Sequence, residues 1–566
     1  MRRYRSNRVS ILVLVTLAAC SGAKQPPGGV YEGEDAADET PPDARATGGA
    51  PGKKDAAAST GGTGGTKDAA PPEPDAAIEP DAAVEPDAGP QMPDAMEFVN
   101  MGDPVCYLQA IVRDFSATGT TRHPDFENFA LWGNDVCKGM VLPELGISGL
   151  NVTPVAAMNM TKPCPATMNA WPQFKQLADW YQNTPGTNYV FDVQIPLYDT
   201  GHGTVRFRSN DFFPIDGKGW NDMLKAKGGA LHNFGFTTHA LRHFTYKKGQ
   251  TFAFTGDDDV WVFVEGKLMM DLGGLHPARS GNINLDEVQP TLTEGQTYRL
   301  DLFHAERHTD QSGFEIETSI CDRLGDKPGV DAGAPEKKDA GAGPAPTCYM
   351  QAIIRDFRAT GPERHPDFER PMASGSTGCP GLIKDTLEVT GLYATPALKA
   401  LTASPCPNDK NPFPQITKFE DWYQNKPGTN MVFDIQIPLY STGKGTVLFK
   451  SDAFFPIDGK GFDDKIADKQ GVPHNYGFTT HVLRHFTYKK GQVFTFTGDD
   501  DAWAFVEGKL AMDLGGLHTA QSKTVRLDDI RPALKEGNTY RLDFFHAERH
   551  STESGFQIET SICEKL

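Results

Sequence analysis

The sequence predicts an all-β protein: two tandem rolled β-sandwich domains of jelly-roll type, each with one short helix, behind a long disordered N-terminal tether. Three observations carry that prediction. A block of about 220 residues is written twice, so that Cys106, Cys137, Cys164 and Cys321 recur 242 positions later as Cys348, Cys379, Cys406 and Cys563. Each copy is a series of short aromatic or β-branched runs bounded by Gly, Asp or Pro. A single segment per copy has helical spacing. Each block is large enough to hold its own core, so the chain is a pair of domains and not a solenoid.

The chain opens with a basic segment, "MRRYRSNRVS", followed by "ILVLVTL", an apolar run too short to span a bilayer. Next comes "LAAC", ending at Cys20. This arrangement resembles a bacterial lipoprotein box, which implies a signal peptide over 1–19, cleavage before Cys20 and acylation of its thiol. The alternative is a plain secretory signal that contains a cysteine. Ser21 stands where Asp would hold a lipoprotein at the inner membrane, so the expected address is the outer membrane, facing the cell surface. Residues 20–103 are rich in Gly, Pro, Ala, Asp and Thr, and nearly lack aromatics. Such a segment cannot bury enough surface to offset chain entropy and reads as a tether. A similar linker is expected over 325–345, between domains at 104–324 and 346–566.

Within the first domain the expected strands lie in 189–199, 203–213, 239–249, 250–256, 260–271, 297–307 and 314–321. The helix is expected over 172–183, "PQFKQLADWYQN", where Phe174, Leu177 and Tyr181 share a face before the Pro-Gly of "TPGTN". Nine cysteines divide as one at Cys20 and four per domain. An even set in an exported chain reads as two disulfides per domain, and four cysteines allow three pairings. We favour Cys106–Cys321 with Cys137–Cys164, and Cys348–Cys563 with Cys379–Cys406, because first and last strands of a closed β-domain often lie side by side. No Cys-x-x-Cys occurs, which argues against thiolate metal sites.

The formal net charge of -19 excludes a nucleic-acid surface, which must be basic, and makes cations the natural small partners. Three adjacent acids, Asp257, Asp258 and Asp259, stand between the runs "FAF" and "VWVFV", and recur unchanged as Asp499, Asp500 and Asp501. Carboxylates on a turn at the rim of a sheet offer oxygen ligands to a hard cation such as Ca2+. Ordinary turn chemistry is the competing reading, since Asp is common in turns. The divergence beside them also carries information: Val260 and Val262 become Ala502 and Ala504, while Trp261 and Phe263 are retained. The retained aromatic face is therefore expected in the tightly packed core, and the aliphatic face either repacks or borders a softer region.

The run 256–274, with the preceding "HNFGFTTHALRHFTYKKGQTFAF", "FFPIDGKGW" and "FHAERH", resembles the fibro-slime domain, a branch of the protective-antigen superfamily of β-sandwiches. The resemblance covers nearly all of both repeats. It implies a rolled sandwich whose N-terminal strand returns beside the last one, and it does not imply an enzyme. In lectin members such as yeast flocculins, two successive aspartates joined by a cis peptide hold a Ca2+ that binds sugar hydroxyls. The matching positions are Asp257 and Asp258 in repeat one, and Asp499 and Asp500 in repeat two. Asp259 and Asp501 depart from the superfamily pattern and are either further ligands or solvent-facing. Asp310, whose counterpart is Thr552, is a poor ligand candidate.

In "HAERH", His304 and His308 are four apart but do not form His-Glu-x-x-His, and they follow a strand; Glu306 and Arg307 are expected to pin the loop through charge-assisted contacts. Asp216 and Lys218 read as a turn with a local ion pair, and His232 and Asn233 match the family pattern without an evident role. The expected function is a Ca2+-dependent surface protein that binds extracellular glycan or matrix, its two copies acting by avidity on a flexible linker. The alternatives are a structural matrix protein whose Ca2+ only stabilises the fold, or a non-catalytic accessory of a polysaccharide-processing system. No acid–base pair suggests catalysis.

Overall fold

In the strand Cys106–Phe115 (β1), buried and half-buried residues alternate until both faces become covered. That transition sets the architecture of each repeat. The computed structural model describes residues 103–127, 136–157, 176–309, 311–321, 345–369, 378–400, 416–550 and 553–563. The signal, Cys20, the tether, nearly all of the linker, Cys164, Cys406, Asp310 and Thr552 lie outside the described residues.

The other main strands of repeat one are Asn188–Asp199 (β2), Val205–Ser209 (β3), Phe236–Thr245 (β4), Thr251–Gly256 (β5) and Asp259–Val264 (β6). Lys267–Leu272 (β7), Arg279–Asn284 (β8), Thr297–Glu306 (β9) and Phe314–Thr318 (β10) complete the set. They form one antiparallel sheet in the order β7-β6-β9-β4-β1-β2-β3-β10-β5-β8. β2 and β3 share only the pairs Tyr198–Arg206 and Asp199–Val205. The sheet folds over there, giving facing layers of six and four strands. Repeat two has the same ten strands in the same order, from Cys348–Phe357 to Phe556–Thr560. The expected rolled sandwich is what each repeat adopts.

β6 is buried on both faces. Val260, Val262 and Val264 point into the main core between the layers. Trp261 and Phe263 point the other way, into a second cluster with Phe126, Trp180, Tyr181 and Phe303. Of the two expectations for the aliphatic face, repacking is what occurs, and both faces are fully covered. The Val→Ala change in repeat two is compensated across the strand. Val262 lies opposite Leu302, and its counterpart Ala504 lies opposite Phe544. The larger ring occupies the volume the smaller residue vacates, packing 4.7 Å from Phe496 between centroids.

Of the expected helix, 172–175 with Phe174 lie outside the described residues, and over the described remainder the helical part is short. Repeat one has Leu177–Trp180 (α1), and repeat two has a 3-10 turn at Phe419–Asp421. Leu177, Trp180 and Tyr181 are buried against the aromatic face of β6, so packing rather than helix length holds this segment.

Cys106–Cys321 and Cys348–Cys563 are bonded, with Cα separations of 6.4 and 6.3 Å. The favoured pairing holds for these two, but its stated reason does not. β1 and β10 are not neighbours in the sheet; the bond crosses between layers. Cys137 and Cys379 are disulfide-bonded too, to partners outside the described residues.

Both repeats belong to one compact unit. β4 of repeat one touches Asn430–Ser441, and β2 touches Phe478–Thr487. The repeats therefore pack against each other, where sequence suggested two bodies moving on a linker. No helix among the described residues is long and apolar enough to cross a membrane.

Candidate functional site

β5 ends in the four-strand layer and β6 begins in the six-strand layer, so Asp257 and Asp258 form the crossing between them. β9 and β10 are joined by a second crossing, 307–313, at the same end of the sandwich. The two crossings run side by side. Asp257 donates its N–H to Gly313 O at 3.4 Å, and its Oδ1 accepts from Gly313 N at 2.6 Å. Gly256 has no side chain because a Cβ there would run into the Gly313 carbonyl oxygen.

The three aspartates have separate roles. Asp259 is fully buried, and its two oxygens accept from Arg307 Nε and Gly274 N, both at 2.6 Å. The Arg307 guanidinium also lies over Trp180, 5.0 Å from the ring centre. Asp501 and Arg549 repeat this pair at 2.6 Å. Asp259 and Asp501 are thus not solvent-facing; they bind the two crossings together. Asp258 Oδ2 accepts the backbone N–H of Arg307, at 3.0 Å. Asp500 Oδ2 accepts the N–H groups of Arg549 and His550, at 2.8 and 3.1 Å. Asp499 Oδ1 accepts from Gly555 N at 2.8 Å. The Asp257–Asp258 and Asp499–Asp500 bonds are trans; among the described residues cis bonds precede only Pro290 and Pro532. Asp500 instead has a left-handed φ of 58°.

Glu306 is the residue the sequence reading misassigned. Arg307 does pin the loop, but Glu306 does not. It is fully buried, and neither carboxylate oxygen has a hydrogen-bond partner. The adjacent Ser312 hydroxyl donates to Phe212 O instead. Burial pushes the Glu306 carboxyl well above the usual range, and the charges of Asp258, Asp257 and Glu127 push the same way. Asp258 is raised well above its ordinary value by burial, then by Asp257. Glu127, unsuspected from sequence, accepts from Thr309 Oγ1 at 2.7 Å, and burial raises its carboxyl to about 7. Repeat two assembles Asp499, Asp500 and Glu548 alike; both oxygens of Glu548 are buried without partners, and its carboxyl is raised well above normal by burial. One signal for the missed residues was available: "HPDFE", 123–127, recurs unchanged at 365–369 beside altered neighbours.

His304 of "HAERH" does not join this cluster as a ligand. His304 packs among Phe212, Phe236 and Phe314, and its Nε2 meets Asp257 O at 2.9 Å. Burial lowers its pKa to about 4, so it is neutral. Asp216 does not pair with Lys218 as expected. Its carboxylate meets His232 Nδ1 at 2.8 Å and accepts from Asn233 N at 2.7 Å. The Asn233 amide in turn reaches Asp114, at 3.2 Å, and the Lys218 carbonyl, at 3.1 Å. His232 and Asn233 thus anchor the "PIDGKG" turn.

Each rim therefore brings several carboxylates into a low-dielectric pocket with little compensating positive charge. Without a cation such groups retain protons at neutral pH. With one, they are all-oxygen donors suited to a hard divalent ion. The unbonded Glu306 oxygens fit that role. Among the described residues no three such groups already stand at metal-binding spacing.

No family model matches the chain. It is 39% identical over 226 residues to Protein psiQ of Dictyostelium discoideum, an alignment covering 38% of this chain and 21% of psiQ. It is 39% identical over 230 residues to Protein psiR of the same organism, covering 39% of this chain and 22% of psiR. The chain thus spans about a fifth of these relatives, and each match is close to one repeat in length. Among solved structures it is similar to the PA14 domain of the MpAFP antifreeze protein, at 10% identity and a TM-score of 0.15, over 21% of this chain and 66% of the other. That likeness is too slight to bear on function.

Proposed function

We propose that this chain is an exported, surface-displayed binding protein built from two fibro-slime-type domains, each with a Ca2+ seat at its rim. Asp257, Asp258 and Glu306 would hold the ion in repeat one, with Glu127 beside them. Asp499, Asp500 and Glu548 would do so in repeat two. The observation that carries this reading is Glu306: a fully buried carboxylate with neither oxygen bonded, facing further acids. A buried unpaired carboxylate costs several kcal/mol unless it is protonated or meets a cation. Ca2+ would supply the missing charge and draw the two crossings together. The partner is an extracellular glycan or matrix component gripped at that rim. Acylation of Cys20 would tether the chain to the outer membrane.

A second reading has its own support. Asp257 and Asp258 are only 8% and 6% exposed, which suits an ion that stiffens the loops without touching the partner. The test is a glycan array probed with the chain in Ca2+, in EDTA, and as the Glu306→Gln, Glu548→Gln variant. Binding that needs Ca2+ and both glutamates supports the first reading. Glycan binding unchanged by EDTA and by the variant favours the second. Absence of Ca2+ uptake in equilibrium dialysis would sink both.

A further inference from the structure

Most hydrogen bonds between the repeats come in reciprocal pairs. His243 donates its backbone N–H to Asp434 and places Nδ1 2.7 Å from the same carboxylate. His485 does the same to Asp192, with Nδ1 also at 2.7 Å. Val190 N donates to Thr539 Oγ1 at 3.1 Å, and Val432 N donates to Thr297 Oγ1 at 3.2 Å. An Arg299 guanidinium nitrogen reaches Leu392 O at 2.6 Å, and one from Arg541 reaches Leu150 O at 2.9 Å. Every one of these residues maps onto its counterpart by the repeat offset of 242. At these positions, what repeat one gives to repeat two it receives back.

Reciprocity of this kind is the signature of an isologous interface, in which one patch meets itself across a two-fold axis. Two unrelated faces in contact would show one-way contacts. The cavity along the seam, about 210 Å³, is lined by matched residues from the two sides, Gln109 with Gln351 and His239 with His481. The two faces are also chemically the same: Asp, His, Thr and Arg occupy the contact positions in both copies. The departures are Gln296 against Asn538, where Gly428 N donates to the Gln296 side-chain oxygen without a matching bond among the described residues, and Asn151 against Tyr393. Tyr393 stacks under Arg299 and Arg355, at 5.0 and 5.1 Å, whereas Asn151 accepts from Arg541 at 3.2 Å. Each repeat owns a complete ten-strand sheet, a separate core and a disulfide, so neither needs the other to close its fold.

We propose that this face is a homotypic recognition surface whose partner is a second copy of the same repeat, and that the tandem chain is such a pair closed covalently. The linker raises the effective concentration of one half for the other and keeps the pairing within one chain. Cutting the linker leaves the surface intact and frees it to choose between copies.

The test uses the whole chain with a protease site placed within 325–345. After cutting, size-exclusion chromatography with light scattering should show both halves in one peak at micromolar concentration. Two preparations of cut chain, one tagged on repeat one, are then mixed. Capture of the tag should recover untagged repeat one as well as repeat two. Halves that separate on cutting overturn the proposal. Recovery of repeat two alone also overturns it, since the surface would then be specific to the unlike pair. The Asp192→Arg, Asp434→Arg variant faces Arg484 and Arg242 with like charge, and should separate after cutting while keeping its far-ultraviolet circular dichroism. If that variant misfolds, Thr297→Val with Thr539→Val removes only the two hydroxyl acceptors and should hasten separation on dilution. Unchanged association in a folded charge variant would place the halves' contact elsewhere.

Discussion

The carboxylate cluster makes a quantitative claim about pH. The perturbation is removal of divalent cations with EDTA while pH is raised from about 5 to about 8. Glu127 has its carboxyl raised from the ordinary 4.5 to about 7 by burial. A group raised on folding holds its proton longer in the native state than in the unfolded chain. Its contribution is fully present below the unfolded value and is lost as pH rises through the folded one. For Glu127 alone that loss is on the order of 3 kcal/mol. Glu306 and Asp258, raised further by burial and mutual repulsion, add losses of the same sign. Urea unfolding in EDTA should therefore show a midpoint that falls steadily from pH 5 to 8. In saturating Ca2+ the fall should largely vanish, because the ion replaces the protons. Glu306→Gln with Glu548→Gln should reduce the slope in EDTA and abolish the Ca2+ effect. Parallel pH curves in EDTA and Ca2+ would refute the reasoning.

Other expectations follow from single contacts. Arg307→Ala strands Asp259, whose side chain is fully buried, and should cost about 3–5 kcal/mol in a denaturant titration; the Arg307→Ala, Asp259→Leu double variant should recover part of it. Ala504→Val overpacks the site opposite Phe544, costing about 1–3 kcal/mol by thermal melt, and adding Phe544→Leu should restore stability. Cys321→Ser opens a bond that spans 215 residues of sequence and should lower stability by about 2–5 kcal/mol against the unaltered chain, a difference that should shrink when both are reduced.

Some features were readable without coordinates because they depend on local order. The alternation in β1, the strand signals and the position of the carboxylate turn are nearest-neighbour properties of the chain. So is the duplication, and with it the cysteine arithmetic that led to Cys106–Cys321. Other features arise only when distant segments meet. Glu127 and Glu306 are far apart in sequence and reach one pocket because the segment after β1 bonds to the second crossing, Glu127 N to Arg307 O at 2.8 Å. Asp259 looks like its neighbours in sequence, yet it starts β6, so the period of two turns its side chain inward to Arg307 while Asp257 stays on the crossing. Phe544 compensates Ala504 only because the sheet register sets them opposite each other.

The sequence by itself determined the fold class, the tandem repeat and the acidic character of the rim, since these follow from pattern and composition. The tertiary structure alone decided which carboxylates are neutralised, which are left without partners, and that the two repeats meet through one self-complementary face. The physical reason is that burial, counter-charge and interface symmetry belong to pairs of segments brought together by the sheet, and no single stretch of chain contains them.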